Sequence, residues 1–170
     1  MKTVFVMVDI QDMFVPVIKD LDRLVSNAKI LIGSARILKI PLIVTEQYPK
    51  GLGRTIDKIG YKGEVIEKMS FSCFGCDEFA GKIKGFDRAV IFGIEAHVCV
   101  LQTALDALKK GIEVHVVADA ISSRSSENKQ MAIERMRQSG VFIVSTEMIL
   151  FQLVEKAGTE EFKKISLLVK

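Results

Sequence analysis

Residues 87–118 read DRAVIFGIEAHVCVLQTALDALKKGIEVHVVA. The apolar run Asp87–Phe92 stops at Gly93. A helical stretch, His97–Lys110, follows, with Leu101, Ala104, Leu105 and Leu108 turned inward and Gly111 as its C′ residue. A second apolar run, Glu113–Ala118, comes next. Runs this apolar suit strands buried on both faces, and strands separated by helical stretches predict a parallel sheet.

The same alternation extends outward in both directions. Thr3–Val8 (TVFVMV) is a strand with almost no polar side. Asp20–Lys39 is an amphipathic helix with Leu21, Leu24, Val25, Ala28, Leu31, Ile32, Ala35 and Leu38 at helical spacing, and Asp20 suits its N-cap. Pro41–Thr45 and Glu64–Glu67 are the second and third strands. Between them Glu46–Gly63 reads as one long irregular loop, and such loops are usually functional. Cys76–Lys84 is a short helix. After the fifth strand, Glu127–Gln138 is a helix capped by Ser125 or Ser126, Val141–Val144 the sixth strand, and Thr146–Lys156 and Glu160–Leu167 closing helices. The fold class is therefore α/β: a three-layer α/β/α, Rossmann-like arrangement with a doubly wound, mostly parallel six-stranded sheet. Residues 1–170 form one domain.

Composition narrows the function. Lys and Arg exceed Asp and Glu by 24 − 21 = +3, too mild for a nucleic-acid footprint. Hydrophobic residues at 49% and charged residues at 26% match a globular protein and exclude disorder. No apolar run approaches the roughly 20 residues a membrane span needs. Three cysteines and no export signal predict free thiols in a cytoplasmic setting.

In doubly wound sheets ligands sit beyond the carboxyl ends of the strands. Asp9 follows the first strand, Lys68 the third, and Cys99 begins the helix after the fourth. A helix N-terminus and a nearby lysine lower a thiol's pKa, and a carboxylate can take its proton. Each residue alone has an ordinary explanation: a turn cap, a solvated charge, a small buried hydrophobe. Their joint placement leaves a catalytic and a structural reading open.

Three segments carry a resemblance. Val8–Phe14 (VDIQDMF) resembles the D-x-Q-x-x-F opening of the isochorismatase-like cysteine hydrolases. Lys68–Phe74 (KMSFSCF) resembles that family's lysine segment, and Gly93–Val100 (GIEAHVCV) its nucleophile segment. They occur in family order and the similarity covers about residues 2–150, closest to the isochorismatase domain-containing branch. The resemblance implies Cys99 as nucleophile, Asp9 as general base and later acid, and Lys68 as the cation that stabilises the thiolate. It implies an oxyanion hole from the backbone N–H groups of Glu95 and Cys99, and a cis peptide at Ile94–Glu95.

Two positions depart from the pattern: Ala96 replaces the usual Thr, and His97 an Asp. The family's metal-binding Asp-x-His…His set has no counterpart, since the two histidines are His97 and His115. No metal and no cofactor is therefore expected. Retention of the cysteine points to C–N cleavage of a small amide or ureido substrate. Phe14, Tyr48, Leu52 and Phe71 are expected as pocket walls, with Gln11, Glu46 and Gln47 as polar contacts.

Competing motifs remain. Cys73-Phe74-Gly75-Cys76 is a C-x-x-C that a thiol oxidoreductase would use. Cys73, Cys76, His97 and Cys99 have zinc-ligand spacing. An idle scaffold would keep the same fold. Finally, Met148, Ile149, Leu150, Phe151, Leu153 and Val154 make one closing helix apolar nearly all round, so Glu160–Leu167 or a second subunit must cover it. With the family's habit of assembly, this predicts a homo-oligomer, dimer or tetramer.

Overall fold

A computed structural model describes all 170 residues. In chain order the elements are β1 (Thr3–Val8), α1 (Leu21–Leu38), β2 (Leu42–Gln47), the single turn α2 (Pro49–Leu52), β3 (Ile66–Lys68), α3 (Asp77–Ile83), β4 (Arg88–Ile94), α4 (Leu101–Lys109), β5 (Glu113–Ser122), α5 (Ser126–Gln138), β6 (Phe142–Val144), α6 (Thr146–Val154) and α7 (Glu160–Leu168). The six strands form one wholly parallel sheet in the order β3-β2-β1-β4-β5-β6. The order reverses between β1 and β4, which makes the crevice beyond their carboxyl ends the switch point of a Rossmann-like α/β fold.

Period-two alternation divides the core. Val4, Val6 and Val8 of β1 face one apolar cluster with Phe79 and Ile83 of α3, Ala104 and Ala107 of α4, and Met136 of α5. Phe5 and Met7 face the other, with Leu24, Leu31 and Ala35 of α1, Ile149 of α6 and Ile165 of α7. Each large side chain buried this way contributes about 1.5–3 kcal/mol. Both faces are thereby covered, which is why β1 and β4 are apolar along nearly all of their length.

Several boundaries differ from the sequence expectation, each for a local reason. Gly93 does not end β4. It lies inside the strand at φ 122, and a Cβ there would collide with the Val8 carbonyl, so glycine lets β4 run against the end of β1. β5 runs four residues past Ala118, because a register shift between Ile91 and Gly93 lets Ile121 and Ser122 rejoin the ladder beside Gly93 and Ile94. The stretch 46–63 is not one loop: β2 continues to Gln47, and Pro49–Leu52 and Asp57–Ile59 form helical turns. The helix expected from His97 instead opens with a wide π-type turn, Ala96–Val100. Asp20 stands at the N-cap of α1 at φ 51 and its side chain caps nothing, whereas Ser125 does cap α5 by accepting from the Asn128 N–H at 3.2 Å.

The apolar helix α6 is covered within the chain. Ile149 and Leu150 are buried, and the Phe151 ring packs 6.1 Å from Phe162 of α7, leaving Met148 outside. Its sequence therefore does not by itself require a second subunit. No helix is long and apolar enough to cross a membrane.

Candidate active site

β1 ends by delivering Asp9 in the left-handed region, φ 51, where a non-glycine residue carries strain of about 1–3 kcal/mol. The surroundings hold it there. The Asp9 N–H donates to the Thr45 carbonyl at 3.2 Å, and the Thr45 hydroxyl donates to Asp9 Oδ1 at 2.7 Å. Lys68, the last residue of β3, donates from Nζ to Asp9 Oδ2 at 2.7 Å. Both side chains of this pair are buried.

Lys68 also donates to the carbonyls of Ser70 at 3.0 Å and Phe71 at 3.1 Å and to Gln47 Oε1 at 3.3 Å. Burial, the largest single influence, lowers its pKa, but the charge and hydrogen bond of Asp9 together with the nearby Cys73 and Cys99 sulfurs outweigh it and raise the pKa, so the ammonium form persists. Cys99 sits in the wide turn before α4, and its thiol donates to the same Gln47 Oε1 at 2.8 Å. Burial, then the negative charge of Asp9, pushes the thiol well above the ordinary range, against the pull of Lys68. The lysine and the helix terminus were expected to depress this pKa. In the fold, desolvation and the carboxylate win, so the resting sulfur is a thiol.

Asp9, Lys68 and Cys99 thus converge at the switch point from three separate segments. Beside them opens a cavity of about 270 Å³ lined by Phe14, Gln47, Leu52, Phe71, Glu95, Val98, Cys99 and Arg124. That lies near the lower limit for small-molecule pockets. The Ile94–Glu95 peptide is cis. A larger groove, about 520 Å³, lies at the opposite edge around Thr3, Pro41 and Arg88 and is lined by none of Asp9, Lys68 and Cys99.

Three residues expected at the pocket are elsewhere. Gln11 braces strand ends: Nε2 donates to the Gln47 carbonyl at 2.9 Å and the Gly53 carbonyl at 2.8 Å, while its oxygen accepts the Gln47 N–H at 2.8 Å. Glu46 is consumed by Thr55, whose N–H and hydroxyl donate at 2.6 and 2.8 Å, and by Arg54 at 3.0 Å. Tyr48 takes φ 39 at the entry to α2, and its ring stays outside the cavity. Burial with a full set of partners makes Gln11 and Glu46 structural.

Other residues escaped the sequence. Thr45 looked like the end of a strand, yet it orients Asp9. Arg124 lies two residues past β5, but the strand was expected to end at Ala118, so searching strand ends stopped short of it. Arg124 donates from its backbone N–H at 3.1 Å and from Nε at 2.9 Å to Glu95 Oε1.

The zinc reading fails on geometry, since no three His, Cys, Asp or Glu residues stand close enough to share a metal ion. His97 contacts Ser123 at 3.0 Å and Cys76 the Glu67 carbonyl at 3.8 Å. Cys73 is buried, 3.8 Å from the Thr45 hydroxyl, and burial followed by the Asp9 charge pushes its pKa up to about 11, opposite to the low pKa of a redox-active thiol.

Fold and site together define a doubly wound α/β protein with a thiol-bearing cavity at its switch point. The family model for the isochorismatase domain matches residues 3–148. The chain is 43% identical over 171 residues to isochorismatase domain-containing protein 2 of Danio rerio, spanning 98% of this chain and 86% of that protein. It is 42% identical to isochorismatase domain-containing protein 1 of Salmo salar over 99% of its own length, but spans only 61% of that protein. A solved structure of the MAR1 ribonuclease from Caenorhabditis elegans superposes with a TM-score of 0.94 at 37% identity, covering 99% of this chain and 89% of that one. The chain belongs to the isochorismatase family.

Proposed function

We propose that the protein is a cysteine hydrolase that cleaves the C–N bond of a small amide or ureido compound through a thioester on Cys99. The carrying observation is the buried Asp9–Lys68 pair, 2.7 Å apart, linked to the Cys99 thiol through Gln47 and opening on a small cavity.

Because the resting sulfur is protonated, attack and proton transfer go together. The sulfur bonds to the carbonyl carbon as Asp9 takes the thiol proton, and the carbonyl π electrons move to oxygen. The oxyanion meets the backbone N–H groups of Glu95 and Cys99; the Glu95 N–H donates to no backbone carbonyl and is free for this. Collapse expels the amine, which leaves with the proton held by Asp9. Water then attacks the thioester with Asp9 again as base, and the acid departs as Cys99 regains its proton. Lys68 stays charged throughout and keeps Asp9 from being an isolated buried anion whenever it is deprotonated, before it takes the thiol proton and again after it has passed that proton to the amine.

The C. elegans neighbour's name raises a ribonuclease reading. Phosphodiester cleavage calls for cationic groups around the transferred phosphorus. The only cation on the cavity wall is Arg124, already engaged by Glu95, which favours acyl chemistry. Screening small amides, carbamoyl compounds and nitriles with RNA alongside tests both. An acyl adduct on Cys99, found by mass spectrometry with a slow amide, supports the proposal. RNA cleavage that survives Cys99→Ala, with no amide turned over, refutes it.

A further inference from the structure

The C-x-x-C motif found neither a redox nor a zinc role, yet its first cysteine stands behind the base. Cys73 is fully buried, and its Sγ lies 3.8 Å from the Thr45 hydroxyl, which itself donates to Asp9 Oδ1 at 2.7 Å. The other carboxylate oxygen, Oδ2, is held by Lys68 at 2.7 Å.

The hydrogens in this row follow from what each group can do. A carboxylate oxygen only accepts, so while Asp9 is charged the Thr45 proton points at Oδ1. Burial, then the Asp9 charge, pushes the Cys73 pKa up to about 11, so Cys73 is a thiol and its S–H points at the lone pairs of Thr45. Once Asp9 has taken a proton the row has to change. Lys68 is an ammonium and can only donate, whereas the Thr45 hydroxyl can also accept. Oδ1 is therefore the oxygen able to carry the proton and hydrogen-bond it to Thr45. The Thr45 proton must then turn elsewhere. Thr45 is fully buried, and the other side-chain partner of its hydroxyl is the Cys73 sulfur. A buried O–H without an acceptor is costly, while a thiol that loses its acceptor forfeits little, because S–H is a weak donor.

We propose that Cys73 is a positioning residue for proton transfer: its sulfur accepts the Thr45 hydroxyl whenever Asp9 is protonated, and so lets Asp9 hold the Cys99 proton. That proton moves from Cys99 Sγ to Asp9 Oδ1, while Thr45 and Cys73 keep their own protons and only turn. This rests on the reading of Asp9 as the base for Cys99 and deepens it.

Alkylation of Cys99 by iodoacetamide at neutral pH, followed by mass spectrometry of the Cys99 peptide, reads the departure of that proton without a substrate. In full-length protein Cys73→Ala should slow it about threefold, the worth of one weak hydrogen bond. Alanine also leaves a small void, so the substitution is repeated in Thr45→Val, which lacks the hydroxyl, and compared with that variant's own rate. There the slowing should vanish. Equal slowing in both backgrounds would mean that Cys73 acts by packing and overturns the proposal, as would no slowing in the native background. Should Thr45→Val not fold, Cys73→Ser decides: it keeps an acceptor and should stay nearer the native rate, and a rate as low as that of Cys73→Ala overturns the proposal. Coupling of Cys73 to Thr45 without turnover of any amide refutes the hydrolase reading alone, whereas amide turnover without that coupling refutes only the role given to Cys73.

Discussion

The Cys99 thiol donates to the Gln47 side-chain oxygen at 2.8 Å, and that contact holds the sulfur beside the cavity. The proposed attack breaks it. Replacing Gln47 with Glu adds a negative charge next to both sulfur and Lys68, which raises the thiol pKa further. Turnover at neutral pH should fall by about tenfold or more per pKa unit, and a pH–rate profile should show the limb shifted to alkaline values.

Removing the sulfur separates chemistry from folding. Cys99→Ala should abolish turnover while the thermal midpoint moves by only a few degrees, since one small side chain is lost. Cys76→Ala should keep most activity. Cys73→Ala should also remain active but cost about 1 kcal/mol, because that side chain is fully buried. Denaturant melts with parallel assays check all three, and loss of activity in Cys76→Ala would identify the wrong thiol.

The buried ion pair predicts a non-additive result. Asp9→Asn or Lys68→Met leaves one uncompensated charge in the interior and should cost about 3–5 kcal/mol. The double variant should recover much of that stability and none of the activity. Equal losses that simply add would contradict the pairing seen at 2.7 Å.

Alkaline pH should act on stability and reactivity together. Lys68 and Cys99 both have folded pKa values above their ordinary ones, so the unfolded chain releases their protons first. Their contribution is complete below the ordinary thiol range and drains as pH rises through the folded values. Iodoacetamide labelling of Cys99 should therefore keep climbing at pH values where a free thiol has levelled off. Early levelling would show a thiolate at rest.

At the acid end, His115 sets the expectation. Burial lowers its pKa despite Glu113, which sits 2.9 Å from Nε2 and is shared with Arg88, and Nδ1 has no partner. A depressed folded pKa gives stability that is full above the ordinary value near 6.5 and is lost as pH falls through the folded value. The fall in melting temperature below neutrality should be shallower in His115→Gln. Light scattering on the same samples tests the expected homo-oligomer, for which the covered α6 supplies no argument of its own.

What the sequence made legible follows from how each signal is encoded. β1, β4 and the helices around them could be read because strands buried on both faces and helices with one apolar face leave strong local periodicities. Asp9, Lys68 and Cys99 could be found because each stands at or near a strand's carboxyl end. The end of β5 could not, because the register shift that carries it on to Ser122 depends on a partner strand distant in the chain. Arg124 was lost with it. Gln11 and Glu46 were misplaced because a polar residue near a site looks the same in sequence whether it faces a ligand or holds two strands together. Thr45 was missed because its hydroxyl matters only through Asp9, thirty-six residues away.

The strand order has a further consequence. The acid, its lysine and the Gln47 acceptor come from the first 68 residues, on the β1-β2-β3 side of the sheet. The thiol and the arginine come from residues 99–124, on the β4-β5 side. Only the seam between β1 and β4, kept tight by the missing side chain at Gly93, brings the two sets together. A nascent or partly unfolded chain thus holds these groups apart, and the site exists only once that seam has closed.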